Sequence, residues 1–449
     1  MTILRGQSTP HGPGDPELNQ LRPQDSPVHR WYRFVLAFPP HLVQDYINRF
    51  KLTANHRLLD PFCGTGTTIV EAKKLGIPGA GVEANPMAWF AGSVKLDWTP
   101  DPTQLLDEAH QIGEITSNLI AKQGGPLRTL PEESQRIILK NSISPLPLHK
   151  TLILLDQIKL LAQPTAASHL RLALAKAVVS SISNLRFGPE VGVGKARDDA
   201  PVVDAWLQEV SKIAQDLSQL QPLKHRAGVI HHADARQILT VLQPNSIDAV
   251  ITSPPYPNEK DYTRTTRLES VLLGFIQNKQ ELRLLKEGLI RSNTRNVFRV
   301  DRDDIWVSNH REIQGIANSI EERRVALGKT SGFERLYHRA VKLYFGGMAR
   351  HLADLRLVLR PGAHLAYVVG DQKSYLQILI PTGRLLGDIA QGLGYQLLAI
   401  ELFRTRLSTT TKEQMREEVV LLRWPGSFPS YPYPFSDRSL DGGEKTGRF

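Results

Sequence analysis

Residues 57–76 of the chain read RLLDPFCGTGTTIVEAKKLG. The apolar run that ends at Asp60 predicts a short buried strand, and the helical spacing of the residues after the glycines predicts a helix that ends at Gly76. Between the two, Gly64 and Gly66 permit a sharp turn and allow a ligand to approach the backbone closely. The stretch therefore predicts a ligand-binding loop between a strand and a helix of an α/β fold.

A second informative segment is TSPPY at residues 252–256, which follows the apolar run IDAVI. That run predicts a buried strand, so the segment is expected at the carboxyl end of a strand, where open α/β sheets bind ligands. Its two prolines fix the backbone and carry no N–H group, which leaves carbonyl oxygens free to accept hydrogen bonds. The predicted catalytic residues are therefore Ser253, Pro254, Pro255 and Tyr256.

Strands and helices alternate along most of the chain, which is typical of a mostly parallel sheet. The last two predicted strands, 396–402 and 418–423, have no helix between them and are expected to be antiparallel. The sequence divides into an arm without regular structure at 1–27, a catalytic α/β domain formed by 28–100, 228–256 and 334–424, a helical insertion at 101–227, a second insertion at 257–333 and a flexible tail at 425–449.

The composition narrows the class of protein. The chain has 449 residues, a net charge of +10 and a pI of about 9.5, which suits a polyanionic partner such as nucleic acid, although a solvated basic surface would give the same balance. There is no apolar run long enough for a membrane span and no apolar stretch typical of a signal peptide, so a cytoplasmic location is expected. The single cysteine, Cys63, excludes a disulfide framework and a multi-cysteine zinc site, and no metal site is predicted.

Two acidic residues follow predicted strands at the same edge of the sheet. The glycine loop lacks the third glycine of the dinucleotide fingerprint and the Gly-Lys-Ser/Thr of a phosphate loop, which argues against NAD and ATP. Glu83 ends the second strand, where a carboxylate can accept hydrogen bonds from ribose hydroxyls. Asp234 ends the third strand. For both residues an ordinary surface carboxylate at a strand end is the alternative.

From residue 28 to residue 424 the chain resembles the S-adenosylmethionine-dependent amino-methyltransferases of DNA, through the motifs DPFCGTGTT and TSPPY. The resemblance implies a class I methyltransferase fold, which is an α/β fold with a mostly parallel sheet, a final antiparallel strand and, here, helical insertions. The segment Trp31-Tyr32-Arg33-Phe34, with Phe38 and Pro39 beyond it, looks like the family's motif X. By the same resemblance, S-adenosylmethionine is held by Asp60, Phe62, Gly64, Gly66, Glu83 and Asp234.

The resemblance also implies a reaction, the transfer of a methyl group to the exocyclic amine of a base that is flipped out of the double helix. In this family Ser-Pro-Pro-Tyr usually accompanies N4 of cytosine, and Asp or Asn before the prolines accompanies N6 of adenine. The expected function is thus site-specific methylation of cytosine N4 in DNA. The alternatives are an adenine-N6 enzyme, because both amines need only hydrogen-bond acceptors, and an RNA guanine-N2 methyltransferase. We interpret Cys63 as a small loop residue rather than a nucleophile.

The insertions are expected to contact double-stranded DNA. Arginines recur every three or four residues in the second insertion, and they would share one face if the stretch were helical. Such a face could contact phosphates or guanine edges, or could simply be solvated. The candidates are Arg291, Arg295, Arg299 and Arg302. A glycine-containing loop at 183–194 is a candidate for a DNA contact or for a lid over the pocket, with a plain connector as the alternative. A restriction endonuclease acting on the same site is a candidate partner.

Overall fold

The computed structural model describes residues 20–32, 37–122, 124–187, 191–258, 260–373, 375–407 and 413–427. Most of the predicted arm at 1–27 and of the predicted tail at 425–449 lies outside these residues. Arg33 and Phe34 of the segment that resembles motif X lie outside them as well.

The centre of the fold is a seven-stranded sheet. The strands of the chain are β1 (Leu58–Asp60), β2 (Gly79–Glu83), β3 (Leu185–Phe187), β4 (Val191–Val193), β5 (Gly228–His232), β6 (Ile247–Thr252), β7 (Leu359–Gly370), β8 (Gln396–Leu407) and β9 (Gln414–Arg423). The sheet has the order β5-β2-β1-β6-β7-β9-β8, and β3 pairs with β4 alone. Parallel pairing joins β5, β2, β1, β6 and β7, whereas β9 is antiparallel to both β7 and β8. This is the class I methyltransferase arrangement, so the fold prediction is confirmed.

Helices cover the sheet and build the insertions. They are α1 (Ser26–His29), α2 (Pro40–Arg49), α3 (Thr67–Lys74), α4 (Pro86–Leu96), α5 (Pro102–Lys122), α6 (Glu132–Gln135), α7 (Pro145–Leu161), α8 (Pro164–Ala177), α9 (Val202–Leu220), α10 (Arg267–Leu272), α11 (Lys279–Glu287), α12 (Arg311–Ala326), α13 (Tyr337–Leu355) and α14 (Thr382–Gly392). Within the described residues, none of these helices combines the length and apolarity that a membrane crossing requires.

The central strands are buried on both faces. Leu58 and Ala249 pack in a cluster with α2, whereas Leu59 and Val250, the next residues along β1 and β6, pack in a cluster with α13 and α14. Successive side chains of a strand point to opposite faces, so two strands of continuous apolar sequence supply both layers of the core. Between β1 and β6 the order of the strands reverses, which is the position where sheets of this kind bind ligands.

The first insertion, residues 101–227, contains α5 to α9 and the β3–β4 hairpin. Its α9 carries the fully buried Asp216, which accepts hydrogen bonds from the backbone N of Val28 at 2.9 Å and from Nε1 of Trp31 at 2.8 Å. The guanidinium of Arg30 also pairs with this carboxylate, at 2.5 Å. Asp216 thus joins three residues of the segment at 20–32 to the helical insertion, and Arg30 adds a hydrogen bond to Oε1 of Gln215 at 2.9 Å.

The second insertion is held to the sheet by Arg236, which follows β5. Its guanidinium forms ion pairs with Asp234 at 2.7 Å and with Asp303 at 2.6 Å, and it donates to the Glu287 carbonyl at 3.1 Å. Gly346 of α13 lies against the same part of the insertion, because a Cβ atom there would stand 1.8 Å from the Asp303 carbonyl oxygen. An arginine and a glycine thus seat the insertion on the edge of the sheet where the motifs converge.

Candidate active site

A cavity of about 300 Å³ lies at the carboxyl ends of the central strands. Both sequence motifs reach it, which brings together segments almost two hundred residues apart in the chain. Among the predicted site residues, those that line the cavity are Phe62, Gly64, Glu83, Asp234, Ser253, Pro254, Pro255 and Tyr256. Asp60, Gly66 and the four arginines of the second insertion are not part of its wall.

The glycine loop adopts the backbone that its composition predicts. Gly64 and Gly66 have φ values of +51° and +84°, in the left-handed region that favours glycine. Gly66 precedes the first residue of α3, and a Cβ atom on it would lie 3.1 Å from Cδ1 of Ile230. Gly64 therefore shapes the cavity wall directly, whereas Gly66 makes the turn into α3 and lets β5 pack closely beneath it.

Asp60 has a different position from the one expected. Its side chain is fully buried outside the cavity wall and accepts hydrogen bonds from Oγ1 of Thr252 at 2.6 Å and from the backbone N of Phe62 at 3.1 Å. Burial raises the pKa of this carboxyl to about 6. Asp60 therefore ties the glycine loop to the strand that carries the second motif, and its contact with a cofactor stays a prediction.

Glu83 lies where a ribose-binding carboxylate is expected. Its two oxygens accept hydrogen bonds from the backbone N of Gly64 at 2.8 Å and of Asn85 at 2.7 Å. Burial raises its pKa to about 7, although those backbone hydrogen bonds oppose the rise. A carboxylate has about four lone-pair positions, so two remain for hydroxyl donors in the cavity.

Asp234 also lines the cavity, at the end of β5. Its carboxylate accepts hydrogen bonds from the backbone N of Arg236 at 2.9 Å and from the guanidinium of the same residue at 2.7 Å. Arg236 therefore fixes the orientation of Asp234 and connects it to the second insertion. No local sequence pattern predicts this connection, because Arg236 is an isolated arginine in a short turn.

The clamp is formed by Ser253, Pro254, Pro255 and Tyr256, and its first three residues present acceptors to the cavity. The Ser253 hydroxyl donates its hydrogen to the Val368 carbonyl at 3.1 Å, so its oxygen faces any further partner with lone pairs. The two prolines bring no N–H group to the cavity wall that they line. An amino group placed between these residues would find acceptors and no competing donor from them.

Tyr256 supplies the aromatic part of the clamp. Its backbone N donates to the Tyr262 hydroxyl at 3.1 Å, and its ring lies so close to Gly370 that a Cβ atom there would stand 3.0 Å from Cε2. Burial raises the pKa of both tyrosines, so both phenols stay neutral near pH 7. The neutral, half-buried ring of Tyr256 offers a face on which a planar base can stack.

The arginine series does not form a shared helical face. Between residues 291 and 302 the only helical turn is the 3-10 turn Thr294–Asn296. Arg291 is 5% exposed and pairs with Asp301 at 2.8 Å, and the Asp301 carboxylate also accepts from the backbone N of Phe298. Side chains that bond to nearby backbone compete with a helix. What remains available at the surface is the exposed arginine trio, Arg295, Arg299 and Arg302.

Several wall residues were not anticipated. The second insertion contributes Leu289, Ile290, Ser292 and Asn296. Phe38, which the sequence already placed in the segment that resembles motif X, lines the cavity as well. A third group, which we call the charged wall, consists of Arg404, Arg406 and Glu417. The charged wall is produced by the pairing of β8 with β9, in which Arg404 lies opposite Glu417, and no local sequence pattern reveals it.

Cys63 lines the cavity but is nearly buried, at 5% exposure. Burial raises the pKa of its thiol well above the usual value, which disfavours the thiolate that a nucleophile requires. Its Sγ lies 2.8 Å from the position that a Cβ atom on Gly81 would take. These contacts support its interpretation as a packing residue of the loop.

Comparison with known proteins relates the chain to methyltransferases. No family model matches it. The chain is 26% identical over 430 residues to the Type II methyltransferase M.BsoBI of Geobacillus stearothermophilus, covering 88% of this chain and 84% of the relative. It is 24% identical over 454 residues to the Type II methyltransferase M.AvaI of Nostoc sp., covering 90% of this chain and 87% of the relative. Against the crystal structure of TrmN from Thermus thermophilus the TM-score is 0.29 at 12% identity, with 86% of this chain and 48% of that chain covered.

The score against TrmN is too low to bear on the fold, which is identified by its strand order alone. The similarity to the two Type II methyltransferases covers 88% and 90% of this chain. Strand order and full-length similarity together support the methyltransferase family for this chain.

Proposed function

We propose that this protein transfers a methyl group from S-adenosylmethionine to N4 of a cytosine that is flipped out of double-stranded DNA. The observation that carries the proposal is the cavity that the glycine loop and the clamp line together. The hydrogen bond between Asp60 and Thr252 keeps these two motifs in register. A cofactor site and an acceptor site for an amine are thus adjacent.

The residues in and around the glycine loop fit S-adenosylmethionine. Gly64 adds no side chain to the cavity wall, Glu83 keeps lone pairs for ribose hydroxyls, and Asp234 is oriented by Arg236 near the end of β5. Phe62 adds an aromatic surface, held edge-on against His351 at 4.7 Å between ring centroids. When bound, the cofactor supplies a sulfonium methyl group that an amine nitrogen takes up as the sulfur–carbon bond breaks.

The clamp acts on the base. The lone pair of an exocyclic amine is conjugated into the ring, which makes the nitrogen a poor nucleophile. When Ser253 Oγ and the Pro254 carbonyl accept the two amine hydrogens, the lone pair is localised on nitrogen and directed away from the ring plane. Tyr256 stacks on the base and stabilises the flipped state. No general base is required, because the methylated amine releases its proton to solvent.

Charge and sequence similarity support DNA as the substrate. The net charge of +10 and the exposed arginine trio suit a phosphate backbone. The similarity to Type II methyltransferases supports site-specific modification paired with a restriction endonuclease. The serine of the clamp favours cytosine N4 over adenine N6 by resemblance alone, since either amine could use the same acceptors.

The decisive experiment is nucleoside mass spectrometry. Unmodified DNA is incubated with the protein and S-adenosylmethionine, digested to nucleosides and analysed, and N4-methylcytosine is the expected product. N6-methyladenine would overturn the choice of base, and methylation of RNA without methylation of DNA would overturn the choice of substrate.

Ser253→Ala tests the mechanism in the same assay. The variant should slow methyl transfer while cofactor affinity stays close to that of the parent. Ser246→Ala is the matched control, because Ser246 precedes the same strand at its other end and its hydroxyl donates to the Gln243 carbonyl, away from the cavity wall. Equal turnover of the parent and of Ser253→Ala would contradict the role of the clamp.

A further inference from the structure

The charged wall extends the cavity beside the clamp. Arg404 and Glu417 form an ion pair, and Arg404 donates to Glu417 through Nε. Glu417 is opposite Gly370 in the pairing of β7 with β9, and a Cβ atom on Gly370 would lie 3.2 Å from Cγ of Glu417 and 3.0 Å from the Tyr256 ring. The wall therefore begins at the ring on which the base is proposed to stack.

Arg406 is the member of the wall with unused hydrogen-bonding capacity. One terminal nitrogen donates to the Asp371 carbonyl at 2.9 Å. Its Nε lies 3.9 Å from Oε1 of Glu417, which is too far for a hydrogen bond. This buried Nε has no hydrogen-bond partner anywhere in the described part of the chain. A buried donor without an acceptor is unfavourable and calls for an explanation.

The position of Arg406 associates it with the base and not with the cofactor. It lines the cavity, and its charge acts on both Tyr256 and Tyr262, where it opposes the rise in pKa that burial causes. The proposed cofactor side of the cavity, by contrast, presents Glu83 and Asp234 at the ends of β2 and β5, and both are hydrogen-bond acceptors. The cavity thus has acceptors on its cofactor side and in the clamp, and cationic donors on the charged wall.

The hydrogen-bonding groups of cytosine match this arrangement of acceptors and donors in the cavity. Its N4 amine donates, while N3 and O2 next to it on the same edge accept. The clamp can satisfy the amine but offers no donor for the two acceptors. We propose that Arg406 donates to the N3 and O2 edge of the target cytosine and is a determinant of base specificity; this inference rests on the proposed function. Adenine has a single ring acceptor beside its amine, followed by a C–H group, and would leave part of the guanidinium unpaired.

The two neighbours of Arg406 have distinct roles in this arrangement. Glu417 faces Arg406, with its Oε1 3.9 Å from Nε. Arg404 is already engaged with Glu417 and is less available. Guanine presents a donor at N1 beside its N2 amine, which would face the donors of Arg406, so the same residue also disfavours the guanine alternative.

The test compares DNA with and without the target base. Once the methylated site has been mapped, two duplexes are prepared, one with the target cytosine and one with an abasic nucleotide in its place. Arg406→Gln should lower kcat/KM on the cytosine duplex roughly ten- to hundredfold, as expected for a lost charged hydrogen bond. Binding of the cytosine duplex should weaken by a similar factor, while binding of the abasic duplex and of S-adenosylmethionine should remain unchanged.

Arg423→Gln is the matched control. It removes the same charge from the neighbouring strand β9, at the end remote from Met415, which pairs with Arg406, and should behave as the parent. Arg406→Lys retains the charge without the planar donor pair and should give an intermediate kcat/KM. These variants, with unchanged cofactor binding, also show that the fold is intact.

Two results would overturn the inference. If Arg406→Gln weakened binding of the cytosine and abasic duplexes equally, Arg406 would contact the DNA backbone and not the base. If its kinetics equalled those of the parent, Arg406 would play no part in base recognition. In both cases the parent would still methylate cytosine, so the proposed function would stand. A parent that methylates no DNA would instead refute the proposed function itself.

Discussion

Protonation of Glu83 should control how tightly the protein binds S-adenosylmethionine. Burial raises the pKa of this carboxyl to about 7, and only the carboxylate can accept hydrogen bonds from two ribose hydroxyls while it also accepts from Gly64 and Asn85. Because the ionised form binds, affinity should rise with pH until it levels off above pH 7. Between pH 8 and pH 6 the ionised fraction falls about tenfold, so the dissociation constant should rise about tenfold, equivalent to about 1.4 kcal/mol.

Isothermal titration calorimetry of S-adenosylmethionine between pH 6 and pH 8 measures this effect. The titrations end at pH 6 because the neighbouring Asp60, whose pKa is about 6, is already half protonated at that pH. Glu83→Gln should bind more weakly at pH 8, by roughly ten- to hundredfold for the loss of a charged acceptor, and should lose the pH dependence. Glu312→Gln is the control, because Glu312 pairs with Arg384 outside the cavity and its pKa is lowered. A parent with the same affinity at pH 6 and pH 8 would refute the reasoning.

Three further predictions concern the surroundings of the site. Thr252→Val removes the hydroxyl that donates to Asp60 and should lower the free energy of unfolding by about 1–3 kcal/mol, measured by urea denaturation; unchanged stability would show that the bond between the motifs is dispensable. Gly346→Ala places a methyl group against the Asp303 carbonyl and should destabilise by about 1–3 kcal/mol or more, with faster hydrogen exchange in the second insertion; a neutral result would mean that the insertion shifts freely. Replacing the exposed arginine trio by Gln should reduce the slope of log affinity for DNA against log salt by up to about 3, and a parental slope would exclude phosphate contacts there.

Local sequence was sufficient to predict those parts of the site that are formed by the backbone. The glycine loop needs left-handed φ values at Gly64 and Gly66, and the clamp needs two prolines after a buried strand, so both could be predicted from a few residues. Their shared position at the sheet edge followed from the parallel strand pattern. The expected position of Glu83 at the cavity followed from the same pattern.

The features of the site that could not be predicted depend on packing between residues that are distant in the chain. Asp60 was expected in the cavity, but its burial and its bond to Thr252 depend on how β1 and β6 pair. Arg291 is buried because Asp301 faces it, and helical spacing contains no information about such a pair. The charged wall arises from the register of two strands at the far edge of the sheet.

The carboxylate of Asp216 has a practical consequence for engineering. Because it bonds to the backbone of Val28 and to the side chains of Arg30 and Trp31, a chimera that transplants residues 101–227 alone would leave three donors without this acceptor unless residues 20–32 travel with them. The same short segment also bonds to α3, through His29 and Glu71 at 2.7 Å, so a recipient of both pieces would in turn need an acceptor at the position of Glu71.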